Sequence, residues 1–316
     1  MTRVAAIDCG TNSIRLLIAD VDPTTGTLAD LDRRMEVVRL GAGVDRTGEI
    51  SPEAMRRTLD ATAGYAKLCR AANVAQVRFV ATSASRDARN RDQFVNGVRS
   101  ILGVEPEVIP GAEEAALSFA GATGGLAAEH PAPFLVVDLG GGSTEIVLGE
   151  RSVEAALSVD IGCVRLTERH LHSDPPTAAE LAVATADVDV ALDRVAEQVP
   201  LALARTLVGV AGTVTTITAH ALGLPGYDPA VLHGATLGTD RVLAACDDLI
   251  AMPKAERAAL PYMHPGRVDV IGAGALIWRR VVQRVAQVAP LTTVVTSEHD
   301  ILDGICWSLV QTPTAE

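Results

Sequence analysis

Two segments of this chain carry the same set of reactive groups. Asp8-Cys9-Gly10-Thr11-Asn12-Ser13 lies near the start, and Asp138-Leu139-Gly140-Gly141-Gly142-Ser143 follows 130 residues later (138 − 8). Both read Asp-x-Gly-x-x-Ser, and each sits between two apolar runs, residues 4–7 and 14–19 in the first copy, 135–137 and 146–148 in the second. Short apolar runs flanking a glycine-containing turn predict strand, turn and returning strand. Glycine lets the backbone approach a ligand closely. The turn amides, with Thr11, Asn12, Ser13, Ser143 and Thr144, can donate to phosphate oxygens. Asp8 and Asp138 would repel phosphate unless a cation lies between, and Mg²⁺ accepts one or two carboxylates together with phosphate oxygens. One copy alone is ordinary turn chemistry. Two copies in equivalent settings point to a site for a phosphate chain and a metal.

Other segments offer supporting chemistry. Ala211-Gly212-Thr213-Val214-Thr215-Thr216 leads from a predicted strand into a helix, whose N-terminus attracts anions; Thr213 would serve equally as a plain helix cap. Residues 81–90 leave a strand through hydroxyls and then Arg86, which suits either a phosphate grip or a polar loop. Gly111-Ala112-Glu113-Glu114-Ala115 sets two acids at a helix start. They favour the helix dipole, or one of them is a general base for water. His170 and His172 have no partner at metal spacing. Gly41-x-Gly43 and Gly272-x-Gly274 lack the complete G-x-G-x-x-G of a dinucleotide fold.

The elements that must position these groups alternate. Strands are predicted over residues 4–8, 14–20, part of 27–40, 77–81, 108–109, 134–138, 144–148, 206–210 and 293–296. Helices are predicted over 51–72 (Ser51 as cap, Pro52 at the first position), 92–102, 113–120, 177–198, from 211 onward, 240–251, 268–288 and 300–310, the last with Ser297 as its cap. Residues 121–133, rich in Gly, Ala and Pro, read as a linker. The pattern is an α/β protein of two similar domains, 1–124 and 125–297, with the stretch 298–316 expected to pack back on the first.

Composition bounds the function. The 316 residues suit two domains. A net charge of −12 and only 3% aromatic residues argue against a nucleic-acid binder. No stretch reads as a membrane span or a signal peptide. Five scattered cysteines without a C-x-x-C pair predict reduced thiols and a cytoplasmic protein. Of 27 basic residues only Lys67 and Lys254 are lysine. The position of Arg15, Arg86, Arg89, Arg165 and Arg267 in or near these motifs makes them candidates to face a polyanion.

Taken in order, these motifs resemble the exopolyphosphatase and guanosine pentaphosphate phosphohydrolase (Ppx/GppA) family. The resemblance runs almost end to end, through residues 6–16, 39–48, 81–90, 111–115, 136–146, 162–168, 209–216 and 267–275. It implies an actin-like fold, of the superfold shared with sugar kinases and heat-shock ATPases, with two ribonuclease-H-like domains and a cleft between them. It implies a homodimeric hydrolase that removes terminal orthophosphate from inorganic polyphosphate with Mg²⁺, Mn²⁺ being the alternative metal. The catalytic base matches Glu114. The metal-binding acid matches Asp138, with Asp8 and Glu145 near the metal. The phosphate-binding positions match Asn12, Ser13, Arg86, Gly141, Gly142, Ser143, Gly212 and Thr213, and the turns add Thr11 and Gly140. Cys9 and Ser85 stand where the family usually has a larger aliphatic residue. Longer members carry a helical C-terminal domain that this chain is expected to lack, which ranks short polyphosphate first. Guanosine pentaphosphate ranks second, and an ATP-binding actin-like kinase or regulatory module third.

Overall fold

The computed structural model describes residues 1–126 and 128–310. The chain divides into two compact units, Met1–Gly121 with Ile301–Glu316, and Ala122–Asp300. The predicted linker over 121–133 includes Ala127, which lies outside the described residues, as do positions 311–316 of the C-terminal stretch.

In chain order the first unit forms β1 (Thr2–Cys9), β2 (Ser13–Asp22), β3 (Thr27–Val37), α1 (Val44–Thr47), α2 (Pro52–Ala71), β4 (Gln76–Ala81), α3 (Ser83–Asp87), α4 (Arg91–Leu102), β5 (Glu107–Val108) and α5 (Gly111–Thr123). The second forms β6 (Phe134–Leu139), β7 (Thr144–Gly149), β8 (Val153–Val159), α6 (Cys163–His170), α7 (Ala178–Gln198), β9 (Thr206–Val210), α8 (Ala211–Leu222), α9 (Pro229–Leu232), β10 (Thr236–Gly238), α10 (Thr239–Ala251), α11 (Lys254–Ala259), α12 (Ile271–Val288) and β11 (Thr293–Thr296). The final helix, α13 (Ile301–Ser308), belongs again to the first unit.

The duplication seen in the sequence is also a duplication of topology. The first sheet has the order β3-β2-β1-β4-β5 and the second β10-β11-β9-β6-β7-β8. In each, the hairpin and a third strand pair antiparallel, while the first hairpin strand pairs parallel with the strand that follows the next helices. These are two similar domains of the actin-like superfold. Ser51 caps α2 by accepting from the Ala54 amide at 3.2 Å. Thr177 and Glu180 close a reciprocal capping box on α7.

Strand β1 is buried on both faces, and its alternation explains where Asp8 stands. Ala5, Ile7 and Cys9 enter one core with Tyr65 and Phe94 of α2 and α4. Val4 and Ala6 enter another with Ile109, Leu117, Ile301 and Ile305. Side chains alternate along a strand, so Asp8 ends the second row, on the side of α5 and α13.

Several expectations differ. Strands β8 and β10 were not predicted: both are edge strands, β8 Ala-rich and half-buried without clean alternation, β10 only three residues long. Helix α5 runs to Thr123, into the predicted linker. Helix α12 begins at Ile271 rather than 268, because Pro265–Arg267 form a separate 3₁₀ turn. Ser297 does not cap α13. Its hydroxyl accepts from the His299 amide and donates to the His299 carbonyl, closing a turn before the helix starts at Ile301.

Helix α13 packs directly on the backbone of α5. A Cβ built on Gly304 would lie 2.0 Å from the carbonyl oxygen of Leu117. Alanine normally favours a helix over glycine, yet Gly304→Ala should destabilise the protein by about 1–3 kcal/mol through overpacking. Chemical denaturation checks this; unchanged or raised stability would contradict the close approach.

Candidate active site

The two turns share their internal bond. Gly10 N–H donates to Ser13 O at 2.9 Å, and Gly140 N–H donates to Ser143 O at 3.0 Å. In both, the turn carbonyls are occupied by the segment that packs behind. Asn12 O accepts from the amides of Val38 and Arg39, and Thr11 O from that of Gly41. Gly140 O accepts from Cys163 N–H, and Gly141 O from those of Val164 and Arg165. Arg165 Nε adds a bond to Gly142 O at 2.7 Å. With its carbonyls turned to the N-terminus of α6, the second turn leaves the amides of Gly141, Gly142 and Ser143 without an acceptor among the described residues. Gly162 makes this possible: a Cβ there would lie 2.4 Å from the Gly141 carbonyl carbon.

The carboxylates sit in corresponding places with different neighbours. Strand register sets Arg15 opposite Asp8 and Glu145 opposite Asp138. Arg15 Nε and Nη2 both donate to Asp8 Oδ2, at 3.0 and 2.7 Å. Asp8, expected beside a metal, therefore has a guanidinium of its own. Asp138 and Glu145 are 7% and 1% exposed, two carboxylates at directly opposed positions. Glu145 Oε1 also accepts from Ser158 on β8 at 2.7 Å. Among the described residues no group of three or more His, Cys, Asp or Glu could hold a metal. Asp138 and Glu145 instead match the sparse donor set that Mg²⁺ uses when substrate phosphates supply further ligands.

The acid pair of α5 separates into two roles. Glu113 Oε1 accepts from Arg78 Nη2 at 2.5 Å near the surface. Glu114 is 8% exposed, and its Oε2 accepts from Arg86 Nη1 at 2.6 Å. The same Arg86 nitrogen donates to Ile109 O at 3.0 Å. Burial raises the Glu114 pKa above the ordinary glutamate value. Arg86 opposes this by charge and by its hydrogen bond, Asp8 adds to it by repulsion, and a hydrogen bond with Thr82 lowers it. The structure thus brings Asp8, Arg15, Arg86 and Glu114 into one network in the first unit. Thr82, one of the hydroxyls of the 81–90 segment but not among the candidate site residues, belongs to it.

The third turn lies in the second unit, where β9 runs into α8. Ala211 adopts φ 68°, a left-handed conformation that costs a non-glycine residue about 1–2 kcal/mol. Such strain is found at functional sites more often than elsewhere. Arg267 lies against Gly212, whose Cβ would fall 2.2 Å from the guanidinium carbon. Arg267 Nη1 also donates to Thr216 Oγ1 at 3.3 Å. Thr213 is buried at the start of α8. Of the five arginines proposed to face a polyanion, Arg89 is placed elsewhere. It is exposed and pairs with Glu49 and the Thr47 carbonyl beside Gly48. All five cysteines are buried and free. No helix among the described residues is long and apolar enough to cross a membrane.

Comparison with known proteins identifies the family. Residues 17–308 match the model of the Ppx/GppA phosphatase family. The chain is 52% identical to exopolyphosphatase 2 of Mycobacterium tuberculosis, over 98% of this chain and 99% of that protein. It is 36% identical to a guanosine-5'-triphosphate,3'-diphosphate pyrophosphatase of Photobacterium profundum, over 67% of this chain but only 42% of that protein. The crystal structure of an exopolyphosphatase-like protein superposes with a TM-score of 0.94 at 46% identity, covering 98% of this chain and 97% of the other. With its two Asp-x-Gly-x-x-Ser turns and the Glu114–Arg86 pair, the chain belongs to the Ppx/GppA phosphatase family.

Proposed function

We propose that this protein is an exopolyphosphatase that releases terminal orthophosphate from inorganic polyphosphate by attack of water. One observation carries the reading: a buried glutamate, Glu114, held by an arginine and raised above its usual pKa. A glutamate tuned upward is a stronger base toward water than an ordinary carboxylate. Arg86 uses only Nη1 for its protein bonds, so its other N–H groups can take oxygens of the transferring phosphoryl. In the second unit the amides of Gly141, Gly142 and Ser143 with Gly212 and Thr213, and in the first unit Thr11, Asn12 and Ser13, would take phosphate oxygens. Asp138 and Glu145 would hold the cation. When bound, Mg²⁺ would neutralise phosphate oxygens and favour departure of the shortened chain. Positioning and charge neutralisation then account for most of the acceleration.

The proposal takes a cytoplasmic homodimer as the working form, with Mn²⁺ as an alternative metal. Guanosine pentaphosphate is the second substrate reading, supported by the relative from Photobacterium profundum. The relative matched at 52% identity over 99% of its length is an exopolyphosphatase, so polyphosphate ranks first.

Glu114→Gln should lower orthophosphate release from short polyphosphate by roughly 10²–10⁴. Graded chain lengths and guanosine pentaphosphate assayed side by side identify the preferred substrate. A variant that works at the wild-type rate would remove Glu114 from the chemistry. In the wild type, kcat/KM should fall as pH drops through the Glu114 pKa, because the protonated acid cannot accept a proton. With that pKa raised, the acid limb should lie above the ordinary glutamate range, and a limb at or below that range would contradict the assignment.

A further inference from the structure

Two glycine pairs, Gly41-x-Gly43 and Gly272-x-Gly274, fit no dinucleotide pattern and have no place in the mechanism so far. The structure gives one member of each pair the same task. A Cβ built on Gly41 would lie 2.4 Å from Cγ2 of Thr11, 3.2 Å from its Cβ and 3.1 Å from Cβ of Ala84. The Gly41 amide donates to the Thr11 carbonyl at 2.9 Å. Gly41 does not have the positive φ that demands glycine, whereas Gly43 does, at 74° with open space around it. Gly43 is therefore glycine for its torsion and Gly41 for its contact with Thr11.

In the second unit, a Cβ built on Gly274 would lie 2.5 Å from Cγ2 and 2.8 Å from Oγ1 of Thr213. Gly274 is inside α12, where alanine would be the better helix former, so contact again explains the glycine. Both threonines belong to turns assigned to phosphate. Thr11 is 7% exposed, and its Oγ1 is buried with no hydrogen-bond partner. A buried hydroxyl without a partner is uncommon and calls for an explanation such as a bound ligand.

We propose that Gly41 is a positioning residue: its missing side chain lets Thr11 seat its methyl against the 39–48 segment, which fixes the Thr11 hydroxyl, buried in the free protein, within the turn that takes substrate phosphate. Gly274 makes the corresponding close approach to Thr213, whose hydroxyl meets the Cys163 thiol. The inference rests on the polyphosphate reading of the site, and the test separates the two.

The atom in the way is the methyl of Thr11, so the variants divide cleanly. Gly41→Ala should lower kcat/KM for tripolyphosphate by about tenfold or more through displacement of the hydroxyl. Adding Thr11→Ser removes the methyl, keeps the hydroxyl, and should recover most of both activity and thermal stability. Adding Thr11→Ala instead should recover stability but not activity, which a purely structural role for Gly41 would not produce. If Gly41→Ala alone fails to fold, the two double variants carry the comparison. Wild-type kcat/KM in Gly41→Ala, or equal activity in the two double variants, would overturn the proposal. If the wild-type protein releases no phosphate, the functional reading fails. The positioning role is then judged by calorimetric binding of tripolyphosphate across the same variants, and absent binding in the wild type would overturn it too.

Discussion

The residue that strand register places opposite each turn aspartate decides how the two halves of this protein differ. Both hairpins set an aspartate at the end of their first strand and return seven residues later. In the first unit the opposed residue is Arg15, in the second Glu145. A carboxylate against a guanidinium is a satisfied pair whose hydrogen bonds orient both partners. Two opposed carboxylates are a pair that a divalent cation can share. On the proposed reading, one duplicated motif is thereby divided into a half that holds an ion pair and a half suited to a cation.

The arrangement of the first unit follows from this. With Arg15 on Asp8, the acid stays beside Glu114 and helps raise its pKa. Arg86 is drawn to Glu114 rather than left to solvent, and Thr82 completes the set. Backbone polarity adds the second constraint. Each turn spends its carbonyls on the segment behind it, residues 38–41 in one unit and 163–165 in the other. In the second turn this leaves amides, not carbonyls, for the ligand, the polarity a phosphate requires. The glycines at 41 and 162 are needed because those segments come so close.

Much of this was legible in the sequence, for identifiable reasons. The hairpins, α2 with its Ser51 cap and the long α7 carry strong local signals. The partner of Asp8 was within reach as well, since a tight turn fixes register, but only the pairing itself shows Arg15 and Glu145 in equivalent places. Glu113 and Glu114 could not be told apart by position, because both stand in the first turn of α5; burial and the choice between Arg78 and Arg86 separate them. Ser297 had the composition of a cap but used its hydroxyl on its own loop. Arg89 shares a motif with Arg86, yet α3 ends at Asp87 and the chain turns Arg89 toward Gly48.

The assignment of the metal to the second hairpin is the claim on which this account turns, and direct binding of Mn²⁺ to the protein, followed by electron paramagnetic resonance, tests it. Asp138→Asn should weaken binding by more than about tenfold, the scale on which metal-site substitutions act, and Glu145→Gln should weaken it in the same direction. Asp8→Asn should leave Mn²⁺ affinity close to that of the wild type, because Arg15 is the partner it loses. Retention of Mn²⁺ by Asp138→Asn together with its loss in Asp8→Asn would contradict the account.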